Sequence, residues 1–99
     1  MNIYLVTSHK AWGRDTYDSF VCVAKSPLWA RREHPSNLEG SALSYRWAKT
    51  GWILNDSSCS PDDSSWVPAR HVDRLHVEKI GFASPRQKVG VICSSFNAG

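Results

Sequence analysis

A chain of 99 residues, 41% apolar and 21% charged, suits one domain over residues 1–99; it is too short for two cores and too apolar for a disordered chain. Its net charge of +3 is thinly spread, with seven Lys/Arg against four Asp/Glu in residues 1–54, five against two in residues 66–99, and three aspartates between. That distribution argues against both a dense phosphate-binding stripe and the acidic surface of a DNA mimic.

"NIYLVTS" opens the chain with a β-rich run, Ile3 to Thr7, and "HKAWGRDT" follows as a polar loop turning at Gly13. In "YDSFVCVAK", alternation places Phe20, Cys22 and Ala24 on one face and Tyr17, Ser19, Val21 and Val23 on the other. Both faces turn apolar toward its end, which predicts a central strand paired with Ile3–Thr7 as an antiparallel hairpin. Ser26-Pro27 is a helix start, with serine in the capping position and proline at the first helical one. Pro35 ends that helix near His34, so about eight residues are helical, with Ala30 and Leu28 as the expected contacts to the sheet.

"SNLEGSALS" has a turn composition, and "YRWAKTGWIL" predicts a hairpin about Thr50-Gly51, or one strand with a bulge there. "NDSSCSPDDSS" holds four Asn/Asp, five serines and a proline in eleven positions, and is the most loop-like segment. A strand is expected from about Val72 to Ile80, with Leu75 and Val77 facing one way and Arg74, His76 and Glu78 the other. "PRQK" turns the chain into a last strand, "VGVICSSFNAG", expected to pair with the one before it. The reading is an α+β fold: a mainly antiparallel β-sheet of four to six strands with one short helix packed on it.

Five tryptophans, Trp12, Trp29, Trp47, Trp52 and Trp66, exceed what so small a core can enclose, because each brings a large ring and an N–H in need of an acceptor. Two or three are expected inside, leaving the rest to cover the core edge or to anchor an interface. Of the three cysteines, Cys22 and Cys93 sit in apolar runs and are expected to be buried thiols, while Cys59 falls in the polar loop. Their odd number and the lack of a CxxC pair favour neither a zinc ribbon nor a thioredoxin-type site, and fit a reducing cytoplasm. "MNIYLVTSHK" is too short and polar for a signal peptide, and no apolar stretch reaches membrane length, so a cytosolic protein without membrane partners is expected.

Catalytic and metal readings find little footing. His71 and His76 are spaced for opposite faces of a strand, Asp62-Asp63 lacks the periodicity of a calcium loop, and no GxSxG, phosphate loop or dinucleotide fingerprint occurs. The expectation is a protein that is not an enzyme, with no cofactor and no metal. What remains is surface recognition. Tryptophan and arginine are the side chains enriched where binding energy concentrates, which makes Trp29, Arg31 and Arg32 on the helix the first candidate contacts. Trp12, Arg14, Arg46 and Trp47 extend the set toward a protein partner. Arg31 and Arg32 with Trp29, then Arg46, Lys49, Arg70 and Arg74, interleaved with aromatics, are candidates for stacking and neutralising a single-stranded nucleic acid, the alternative partner.

"YLVTSHKAWGRDTYDSFVCVAKSPLWARREHPS" together with the ending "GVICSSFNAG" resembles a group of small proteins encoded by tailed bacteriophages and prophages, with a DTYDS…AR..HPS…SFNAG pattern. The chain departs from that group at Pro27-Leu28-Trp29, where the others tend to be acidic, and at Cys22. The resemblance brings no assigned reaction; it implies a setting, the host cytoplasm, in which small proteins bind and block a host protein or ribonucleoprotein complex. Inhibitors of bacterial defence, anti-CRISPR proteins among them, are the sharpest form of that expectation.

Overall fold

The computed structural model describes residues 1–8, 16–55, 58–59 and 66–97. Aromatic and β-branched residues make the first strand, β1 (Asn2–Thr7), which pairs antiparallel with β2 (Thr16–Ala24) so that Tyr4 lies opposite Cys22 and Val6 opposite Phe20. These four side chains, with Ala24, turn into the core. Ile3, Leu5 and Val21 lie half-buried on the opposite face. At the end of β2 Val23 is buried as well, the two-sided cover expected of a central strand.

The larger sheet has the order β6-β1-β2-β7, all antiparallel, with β6 spanning His76–Phe82 and β7 Gly90–Asn97. The last two strands are therefore not a hairpin, contrary to the sequence expectation; they flank the central pair on opposite edges. The physical reason is apolar content. β1 and β2 are the most apolar strands, and each is covered along both sides only when β6 and β7 separate. Residues 83–89 cross the sheet end to make this possible, with the Ala83 N–H donating to the Met1 carbonyl at 3.1 Å. A smaller antiparallel sheet, β3 (Tyr45–Ala48), β4 (Gly51–Leu54) and β5 (Ser58–Cys59), completes the β structure, and Lys49-Thr50 forms the two-residue hairpin turn. The architecture is the expected mainly antiparallel α+β fold, with one short α-helix on the core face of the four-stranded sheet.

That helix, α1 (Pro27–Arg31), is shorter than the sequence suggests. Ser26 occupies the cap position in extended geometry without a side-chain hydrogen bond, and Pro27 begins the helix. The Arg32 N–H donates to the Trp29 carbonyl and the Glu33 N–H to the Ala30 carbonyl, the tight closing turn of a helix already ending. His34 and Pro35 then leave the helical path because both are wanted in the core, where each is fully buried. Ala30 is also fully buried, letting α1 lie close on the sheet, but Leu28 is 51% exposed and contributes little to that contact.

The strand expected from Val72 begins only at His76. Residues Ala69–Arg74 form a 3₁₀ helix instead, entered from Pro68. Its signature is a three-residue spacing, since Ala69, Val72 and Leu75 are buried while Arg70, Asp73 and Arg74 are exposed. Cys93, expected to be buried, is exposed: β7 is an edge strand, and Cys93 lies opposite Val21, on the face that α1 does not cover. Cys22 is buried, and burial, reinforced by the charge of Glu33, pushes its thiol up to about 12. The Cys59 side chain and Trp12 lie outside the described residues. Of the other tryptophans, Trp52 and Trp66 are core, Trp47 is half-buried and Trp29 is exposed.

Trp52 is fully enclosed and donates its indole N–H to the Val67 carbonyl at 2.9 Å. Trp52→Phe leaves that buried carbonyl without its donor and opens a void, a combined cost expected to be about 2–4 kcal/mol. A fall in the urea midpoint at unchanged m-value checks it; a loss under about 0.5 kcal/mol would show that the site relaxes around the smaller ring.

Candidate functional site

The helix, its exit and the β3–β4 hairpin build one face. Trp29 projects from α1 and is 53% exposed, next to Leu28. Arg32, just past the helix end, carries its guanidinium 4.0 Å over the Trp47 ring and 5.7 Å from the centre of the Trp29 ring. The cation therefore stands between two indoles, an arrangement worth about 0.5–1 kcal/mol at an exposed site. Trp47 is fixed from behind: its indole N–H donates to the Ala69 carbonyl at 2.9 Å, and across the hairpin it pairs with Trp52.

Two clefts open on either side of this ridge, both lined by Arg32 and Trp47. The first, about 530 Å³, has Lys25, Arg46 and Val89 at its walls and Glu33 and Tyr45 within it. The second, about 300 Å³, lies toward the 3₁₀ helix, where Leu28, Arg31, Lys49, Arg70 and Asp73 surround it. Among the described residues, six cationic side chains thus meet two carboxylates over the joined surface. The excess is larger than the +3 of the entire chain, so the positive charge is gathered here rather than diluted.

Beneath the first cleft lies a packed support. The His34 ring stacks on Tyr45 at 4.1 Å and 21°, and meets Trp52 edge-on at 5.0 Å. Its Nδ1 accepts the Ser36 N–H at 3.0 Å, which places the proton of the neutral ring on Nε2. Asn37 grips β3 at its first residue, its amide donating to the Tyr45 carbonyl and its amide oxygen accepting the Tyr45 N–H, both at 2.7 Å. Burial raises the Glu33 carboxyl above its ordinary range, and a long contact from the Asn37 amide, 3.5 Å, opposes that only weakly.

Of the residues marked from the sequence, Trp29, Arg31, Arg32, Arg46 and Trp47 are brought together around these clefts. Trp12 and Arg14 lie outside the described residues. Lys49 and Arg70, first considered as nucleic-acid contacts, join the second cleft, and Arg74 lines neither. Lys25, Glu33 and Val89 were not foreseen. Lys25 and Glu33 bracket the helix in sequence and could have been read as its rim, but Val89 arrives from the β6–β7 connection, which only the strand order reveals. Among the described residues, no group of three or more His, Cys, Asp or Glu side chains gathers as metal ligands would. None of their helices is long and apolar enough to cross a membrane.

No family model, curated protein or solved structure matches the chain.

Because the folded-state carboxyl of Glu33 is raised, the native protein holds its proton more readily than the unfolded chain does. Its contribution is favourable below the ordinary carboxylate range and is lost as pH rises through the folded value. Glu33→Gln should therefore raise the urea midpoint at pH 7, and the gain should shrink as pH falls to about 4. A loss at pH 7 would show that Glu33 is stabilised there as an anion, and a gain independent of pH would show that its ionisation is not the source.

Proposed function

We propose that the chain is a non-catalytic phage accessory protein that binds a host macromolecular complex and blocks it, with a bacterial defence system as the target class, in the manner of anti-CRISPR proteins. The observation that supports it best is the Trp29–Arg32–Trp47 ridge. An indole left half in water beside an arginine already held in place is a costly arrangement for a surface with no partner, and an effective one for a surface that has one. Burying Trp29 against a partner removes a large apolar ring from water, and the stacked Arg32 loses little further freedom on docking. The DTYDS…AR..HPS…SFNAG resemblance supplies the phage setting, and in it the host cytoplasm is where the partner would be met.

The reading assigns Trp29 to binding and not to stability, and the two can be separated. Trp29→Ala removes an exposed side chain, so the thermal midpoint should move by only a few degrees. Retention of the partner by immobilised protein in host lysate should fall about 30-fold or more, the effect of losing an anchor worth about 2 kcal/mol. Equal retention by wild type and Trp29→Ala would remove the ridge from the mechanism. No retained protein, together with salt-sensitive binding to DNA or RNA in a gel shift, would replace the reading with nucleic-acid binding.

A further inference from the structure

The cleft beside the 3₁₀ helix holds an imbalance that the fold does not need. Among the described residues, Arg31, Arg32, Lys49 and Arg70 line it against one carboxylate, Asp73. Even if Arg70 and Asp73 offset each other, three cations remain around about 300 Å³ of open space. Like charges gathered this closely repel, and the repulsion is relieved when an anion enters. Arg31 adds an independent sign: its Nε is buried and makes no hydrogen bond among the described residues. Its guanidinium has thus lost water on one side without gaining an acceptor there from any described residue, and a nearby anion would stabilise it.

We infer that this cleft receives an aspartate or glutamate side chain of the protein that docks on the ridge, so that the partner presents an acidic surface with an apolar residue beside the acid. The inference deepens the proposed function and rests on it. A carboxylate suits the donors, since an arginine whose face is stacked on an indole still offers its N–H edge for a forked pair of hydrogen bonds. Leu28 at the rim of this cleft and Trp29 at the adjoining one, both about half exposed and consecutive on α1, provide the apolar neighbour. A nucleic-acid strand fits less well. Base stacking requires open ring faces, and Trp47 has one face under Arg32 and its N–H already committed to Ala69. Among the described residues of the two clefts, that leaves Trp29 as the one indole open for stacking a base.

The test is a titration of ¹⁵N-labelled full chain with three probes: a peptide of alternating glutamate and leucine, its glutamine–leucine counterpart, and a short oligothymidylate. The signals are the Arg31 Nε–H and Trp29 indole N–H resonances. The glutamate peptide should shift both saturably and release as salt is added, and the glutamine peptide should not. Lys49→Gln, at an exposed position, should weaken that binding by about tenfold with the rest of the spectrum unchanged, and Arg31→Gln by more, roughly the scale of one charge-assisted hydrogen bond. Equal shifts with the glutamine peptide, no shift with any probe, or tighter binding of the oligonucleotide at the same resonances would overturn the inference. Failure of the titration while wild type and Lys49→Gln retain a lysate partner equally well removes the cleft and leaves the binding ridge standing. Absence of any retained partner counts against the proposed function, and the titration then judges the cleft by itself.

Discussion

The arrangement turns on one buried ring. His34 is packed between Tyr45 and Trp52, stacked on one and edge-on to the other, so the segment leaving α1 is pinned to the first two strands of the smaller sheet. An imidazole in such a place must settle its polar atoms, and the Ser36 N–H does so for Nδ1 within a two-residue turn. Asn37 adds the second fixing point by completing the backbone hydrogen bonds of Tyr45, standing in for a strand neighbour that β3 lacks there. Helix exit and hairpin are thereby held as one body.

The Trp29–Arg32–Trp47 ridge inherits its geometry from that junction. Arg32 lies two residues before His34, and Trp47 two residues after Tyr45 on the same side of β3. Fixing the inner pair at 4.1 Å brings the outer pair to 4.0 Å. The Trp47 indole is then tied to the Ala69 carbonyl, which brings the 3₁₀ helix alongside and closes the second cleft. A surface built this way is rigid in the free protein, which would lessen the loss of freedom on docking to the partner proposed above.

Much of the fold was legible in the chain. Alternation in "NIYLVT" and "YDSFVCVA" marked the central pair and its inward side chains, and "YRWAKTGWIL" marked the hairpin. Failures came where a local pattern has two physical readings. "ARHVDRL" buries every third residue as a 3₁₀ helix does, yet Leu75 and Val77 alternate as a strand does, and the Pro68 entry decides for the helix. "GVICSSF" looks like a buried run until the strand order puts it at an edge. At the site, residue type alone marked Trp29, Arg31, Arg32, Arg46 and Trp47 as candidates. It could not show that Arg32 would lie over Trp47, because that contact depends on His34 entering the core, and a histidine before a proline reads first as the end of a helix.

The strand order also dictates when this protein can exist. β1 pairs on one side with β2, its neighbour in sequence, and on the other with β6, so that Asn2 lies opposite Phe82. A nascent chain can therefore close its first hairpin early, but the flank of β1 stays open until residues 76–82 have left the ribosome. Pairings this distant carry a large loop-closure cost before they return any contact, which places the chain among slow folders for its size. During that interval the edge of β1, with Ile3 and Leu5 beside it, is an exposed template for other strands. Synthesis at high level would thus be limited by association of incomplete chains more than by the stability of the finished fold.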